Sequence, residues 1–307
     1  MKLLLISKNP ADQTFAAHIA TMLKWELISL DSSKKAVEAM TAEPYGACFI
    51  DSKTQINQEL ESLLAESVGL FSEAIILNAT FFLVNTFEET LLASPFLSNV
   101  IVRSWNDTTV AAHAAIISNV IKASTSGCIG AKDLLPQTQR ISLQHSTQKE
   151  EVTQAVRGYA LALGFTTRLS WLIANAVDEL ILNALFCAPI DDLGRYTLFN
   201  APRATSRVLD SQAAIEIEIS SDAQQLAVTV IDHYGSMEKS KLFSQATKVY
   251  EELRIRAQGS GIGLRSIVRS GCLILSCEHR VETRATALFQ RTLRDQPRFI
   301  FCQQFFS

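Results

Sequence analysis

The chain has no uninterrupted apolar run of about 18 residues, the length a membrane-spanning helix needs. Its six cysteines, at 48, 128, 187, 272, 277 and 302, form no CxxC pair and none neighbours a histidine at metal-ligand spacing. They read as reduced thiols, most of them small buried hydrophobes. Charge of one sign is also missing: 28 basic and 31 acidic side chains are interspersed at a net −3. No basic stripe exists to neutralise a phosphate backbone, which argues against nucleic acid as a direct partner. No internal repeat or low-complexity tract is visible. The opening Met1 to Ser7 is apolar, but Lys8, Asn9 and Asp12 follow at once without a small-residue cleavage site. It reads as a first strand, and the expected location is the cytoplasm.

What is present is apolar material for two cores, 48% of 307 residues. Up to about residue 123, short apolar runs alternate with amphipathic stretches: KLLLIS, QTFAAHIATMLK, WELISL, SKKAVEAM, YGACFID, an acidic stretch around Glu59 to Glu66, EAIILNAT, TFEETLLA, NVIVRSW and TTVAAHAAIISNVIKA. Continuous apolar strands separated by helices predict a parallel, doubly wound sheet, and five β/α units fit a flavodoxin-like domain over 1–123. Residues 124–147 lose that periodicity, gather Ser, Gly, Thr and Gln, and read as a linker.

A second domain is expected over 148–307. Val152, Val156, Tyr159, Ala160 and Leu163 mark a helix that Gly164 stops, and a second helix runs from about Arg168 to Cys187, before Pro189. Ile215, Ile217 and Ile219 alternate with Glu216 and Glu218, the turn-like Ser221-Asp222 follows, and Leu226 to Ile231 completes a hairpin. Strands over 273–278 and 286–290 give a mixed sheet covered on one face by helices. The apolar tail with Phe299, Phe301, Phe305 and Phe306 fits either a final strand or a docking patch.

Three local patterns in this half carry chemistry. DELILNAL puts Glu179 and Asn183 on one helix face, a turn apart. An amide oxygen there suits Mg²⁺ beside phosphates, and a carboxylate one turn away suits orientation of a nucleophile; a solvated helix face shows the same pair. In LAVTVIDHYGS a β run delivers Asp232 to a strand end with Gly235 three residues on. That carboxylate can accept from adenine's exocyclic amine, although a strand followed by an Asx turn reads alike. GSGIGL supplies Gly259, Gly261 and Gly263 before a helix-like stretch, where backbone amides can approach a polyphosphate.

In order and spacing, with about 50 residues from Asn183 to Asp232 and about 27 more to Gly259, these patterns resemble the N, G1 and G2 boxes of the GHKL ATPase family. AVRGYALALGF and DELILNAL are similar to the lead helix and N box of its anti-sigma-factor serine kinases. The resemblance implies a GHKL (Bergerat) α/β sandwich binding ATP and Mg²⁺. Within it Glu179 activates the attacking group, Asn183 holds Mg²⁺ and Asp232 with Gly235 receives adenine. Gly259, Gly261 and Gly263 wrap the phosphates, and 236–258 forms a lid. Two departures stand out. Phe186 and Cys187 replace the basic residue and His that usually follow the Asn, and Asp232-His233-Tyr234-Gly235-Ser236 replaces D-x-G-x-G.

The first half resembles a receiver domain. Asp51 falls at its phospho-acceptor position, Thr80 at its fourth-strand Thr position, and Arg103 where its Lys stands. The Mg²⁺-binding acidic pair after the first strand is replaced by Ser7, Lys8 and Asn9, so the domain reads as a pseudo-receiver, with Asp51 retained as a candidate acceptor. His18 and His113 fall in helices and His145 in the linker, without the acidic neighbours of a phospho-accepting helix. The resemblances imply a cytoplasmic signalling protein that phosphorylates or sequesters a protein partner: a regulator, a sigma factor or an anti-anti-sigma-like substrate, with a homodimer left open. The alternative is a non-catalytic pseudo-receiver and pseudo-kinase scaffold. A dimerising, gyrase-like ATPase lacks its transducer domain here.

Overall fold

The chain divides into two units, Met1–Gly127 and Cys128–Ser307, each an α/β arrangement of sheet and helices. The computed structural model describes residues 1–69, 79–85, 99–124, 127–203, 205–210, 213–237, 267, 271–291 and 297–305.

In the first unit the strands β1 (Lys2–Ile6), β2 (Glu26–Leu30), β3 (Ala47–Asp51), β4 (Ala79–Val84) and β5 (Asn99–Val102) lie in the order β2-β1-β3-β4-β5, every neighbouring pair parallel. The helices are α1 (Pro10–Leu23), α2 (Ser33–Ala42), α3 (Gln58–Gly69) and α4 (Val110–Ala123). Leu3, Leu4, Leu5 and Ile6 are all fully buried, as a continuous apolar run requires when both sheet faces are covered. Phe49 stacks on Phe81 at 4.8 Å and Phe15 on Trp105 at 4.1 Å. Helix α1 starts where Asn9 Oδ1 accepts from the Ala11 amide and Pro10 fixes the first turn. It ends at Lys24, left-handed at φ 58°.

Thr80 departs from its expected place. The strand runs over ATFFLV, so Thr80 is its second residue, buried, with Asn99 Nδ2 donating to its carbonyl at 2.9 Å. The apolar run continues past Thr80 through Phe81 and Phe82, and Asn85 follows the strand instead. The helix expected over TFEETLLA lies outside the described residues.

In the second unit α5 (Ala131–Leu134) and β6 (Gln137–Leu143) precede α6 (Lys149–Ala162), α7 (Thr167–Leu182), β7 (Ile215–Ser221), β8 (Gln225–Asp232), β9 (Cys272–Glu278), β10 (Glu282–Gln290) and β11 (Arg298–Phe305). The order is β11-β9-β10-β8-β7-β6, antiparallel except for the parallel β9–β11 pair. The β7–β8 turn closes on Asp222, whose Oδ1 accepts from the Gln224 and Gln225 amides at 2.7 Å. Helices α6 and α7 pack together, tied by a Lys149–Asp178 ion pair, and α7 lies against β8 and β10. The helix Thr167–Cys187 has the length and mean hydropathy of a membrane span, but 56% of that window is buried, as in the core helix of a folded unit.

The expected linker therefore contains structure. Its second half is an edge strand, and Cys128 to Leu135 covers the sheet: the Ile129 amide donates to Ser276 Oγ at 3.0 Å and the Ala131 amide to Thr229 Oγ1 at 2.6 Å. This cover corrects the alternation read in β7. Glu218 is fully buried beneath it, with Oε1 accepting from Arg140 Nη2 at 2.7 Å. The tail resolves as a strand, with Phe299 and Phe301 buried in β11.

Candidate functional site

Strand β8 brings Asp232 to its C-terminal end, buried to 7% exposure. The carboxylate accepts from the Tyr234 amide at 3.1 Å, closing an Asx turn, and the Gly235 amide and the Thr283 side chain stand close enough to favour its charged form. Burial outweighs these bonds and, with Glu282 nearby, pushes the Asp232 carboxyl up to about 7. A carboxyl near neutrality in a buried turn is poised to exchange a proton or accept a ligand's hydrogen bond.

The turn is pinned from two sides. Gly235 has φ +54°, and a Cβ there would stand 2.1 Å from the Glu278 carbonyl oxygen and 2.6 Å from the Arg280 and Val281 amide nitrogens. Its own carbonyl accepts from the Arg280 amide at 3.1 Å. Glycine is thus required by packing against the β9–β10 turn, a reason independent of any ligand. On the other side Ser236 Oγ donates to the Ala188 carbonyl at 2.6 Å, and Tyr196 Oη donates to the Ser236 carbonyl at 2.9 Å. The Asp232 turn is thereby fastened to the end of α7, the helix that carries Glu179 and Asn183.

Glu179 and Asn183 lie half-buried on the last turns of α7. At Asn183 the helix widens into a π turn over Asn183–Cys187, closed by the Ala188 amide donating to the Asn183 carbonyl at 2.9 Å. Such π turns recur at functional sites because they turn side chains out of the α register. Among the described residues no group of three or more His, Cys, Asp or Glu is placed to hold a metal ion.

Two cations in this helix end were not anticipated. Arg203 donates to the Leu182 carbonyl at 3.0 Å and to Cys187 Sγ at 3.3 Å, and Arg207 donates to the Leu185 carbonyl. Their guanidinium carbons stand 5.3 and 6.0 Å from the Phe186 ring centroid, so Phe186 is buried beneath them. They satisfy helix-end carbonyls and put positive charge one turn from Asn183, where the sequence itself carries only Phe186 and Cys187. Both arginines come from an aperiodic segment, which offers no sequence signal for their placement. Gly259, Gly261 and Gly263, with nearly all of 236–258, lie outside the described residues.

At the strand ends of the first unit Asp51 closes β3, and Arg103 follows β5 and contacts it at 2.7 Å. The acidic partner judged missing after β1 is supplied by Asp12, from the first turn of α1 and fully buried. All six cysteines are free, and burial pushes the Cys48 thiol up to about 12 and the Cys128 thiol up to about 11. A comparison with protein-family models found no match, and a comparison with curated proteins found none either.

Proposed function

We propose that the second unit is a GHKL-type nucleotide-binding domain that takes ATP with Mg²⁺ and serves a cytoplasmic signalling protein. The observation that carries this reading is the fastening of the buried Asp232 turn to the end of α7 through Ser236 and Ala188, which joins two of the three sequence patterns in one locality. In it Asp232 accepts from adenine's exocyclic amine, a contact that guanine's carbonyl cannot make. Asn183 would help hold Mg²⁺, which when bound neutralises phosphate charge; Gly259, Gly261 and Gly263 would receive the phosphates. Glu179, one turn from Asn183, would take the proton of a Ser or Thr hydroxyl on a protein partner. The test is competition: a fluorescent ATP analogue bound to the purified protein is displaced by ATP and not by GTP. Equal displacement by both removes the Asp232 assignment.

A second reading, a non-catalytic scaffold, is favoured by specific observations. Gly235 has a packing reason of its own, Phe186 is buried under arginines where a basic residue is usual, and Asp51 is engaged by Arg103. In this reading the first unit, with the strand order of a flavodoxin-like receiver, presents a fixed surface to a protein partner, and the second binds nucleotide without turnover. Nucleotide binding without partner phosphorylation would favour it.

A further inference from the structure

Asp12, Asp51 and Arg103 meet at the C-terminal ends of β1, β3 and β5. Arg103 donates from Nε to Asp12 Oδ1 at 2.8 Å, and from Nη2 to both Asp12 Oδ2 and Asp51 Oδ1 at 2.7 Å. Its Nη1 reaches Asn85 Oδ1 at 3.3 Å, Ser7 Oγ donates to Asp12 Oδ2 at 2.7 Å, and the Lys53 amide donates to Asp51 Oδ1 at 3.2 Å. Asp12 is fully buried, and the Arg103 side chain is only 10% exposed.

A receiver resemblance implies a divalent cation held by the carboxylates at this spot, and the residues present do not fit one. Mg²⁺ needs oxygen ligands at about 2.1 Å in a near-octahedral shell and keeps several waters. Here one nitrogen, Nη2, already stands between Asp12 and Asp51 within hydrogen-bond distance of both. A guanidinium stays protonated throughout the physiological range, so it cannot vacate the place by losing its charge.

We infer that Arg103 is the resident cation of this strand-end cluster: a two-carboxylate cation site closed by the chain's own guanidinium. The first unit therefore takes up no divalent metal there, and Asp51 is an ion-pair partner. One guanidinium bonds both carboxylates without metal or phosphoryl group, leaving the trio one negative charge in excess. Lys8, one of the three residues that stand where a receiver has its acidic pair, takes no part in this closure.

The test is Mn²⁺ binding by the full-length protein, followed by electron paramagnetic resonance, in the wild type, Asp51→Asn, Arg103→Ala, Arg103→Gln and Arg103→Ala/Asp51→Asn, with circular dichroism to verify folding. Wild type and Asp51→Asn are expected to bind Mn²⁺ alike, with no Asp51-dependent site. Arg103→Ala should gain one site at least about tenfold tighter than any in the wild type, because the ion no longer meets a unit positive charge a few ångström away. The double variant should lose it. Wild-type binding that Asp51→Asn weakens overturns the inference, as does a folded Arg103 variant that gains nothing. Should both single variants at 103 fail to fold, the comparison of wild type with Asp51→Asn still decides: equal binding supports the closed site, unequal binding refutes it.

Discussion

Replacing Asp232 by Asn should make the protein more stable, and increasingly so as pH rises. The buried carboxyl titrates near 7 in the folded chain against an ordinary value of 3.8. Below about pH 4 both folded and unfolded forms are protonated and the group costs nothing. Between about 4 and 7 the unfolded chain ionises while the folded chain keeps its proton, so stability falls as pH rises; above 7 the loss is complete. At ~1.4 kcal/mol per pH unit that loss is about 4 kcal/mol. Asparagine keeps the carbonyl acceptor for the Tyr234 and Gly235 amides without the charge. Urea unfolding of wild type and Asp232→Asn should therefore diverge by a further 2–3 kcal/mol, roughly, between about pH 5 and about pH 8, other titrating groups cancelling in the difference. A gap independent of pH would refute the reasoning. A gap of the expected sign would mark Asp232 as a residue held at a cost in stability, the common condition of functional groups.

Two further substitutions test the packing. Gly235→Ala should destabilise the second unit by at least about 2 kcal/mol, since a left-handed alanine meets backbone on the β9–β10 turn; thermal unfolding reads the loss. Arg140→Ala removes the ion pair of the buried Glu218, with Arg284 still nearby, and should cost about 1–2 kcal/mol, less than a fully buried pair because Arg140 is itself 55% exposed. In a Glu218→Gln background the cost should shrink, as a double-mutant cycle would show.

The inner strands β1 and β3 of the first unit were legible because both sheet faces are covered there, and LLLI and CFI announce that without ambiguity. The β7–β8 hairpin was legible for the opposite reason, its alternation. That same alternation misled at Glu218, because Glu218, Thr229 and Ser276 are buried on the face that the segment 128–135 covers, its amides bonding Thr229 and Ser276, while Arg140 reaches Glu218 from the exposed edge strand. Strand β6 was hidden because QTQRISL is a solvent-washed edge with only Leu143 buried. At the candidate site Asp232 could be read from its strand end and Glu179 with Asn183 from helical spacing. Tertiary folding alone brings in Arg203 and Arg207, from an irregular stretch; in the first unit it likewise brings Asp12 to Arg103, since its place after β1 depends on where α1 begins. Sequence spacing likewise could not distinguish a ligand-binding role for Gly235 from the backbone contact that requires it.

We propose that the Asp232 turn and the end of α7 form a nucleotide site. Isothermal titration of the purified protein with Mg²⁺ and a non-hydrolysable ATP analogue tests it most directly. Micromolar binding, abolished by Asp232→Ala in a protein that remains folded, is the predicted result. No binding at millimolar analogue, or binding indifferent to Asp232, would contradict it.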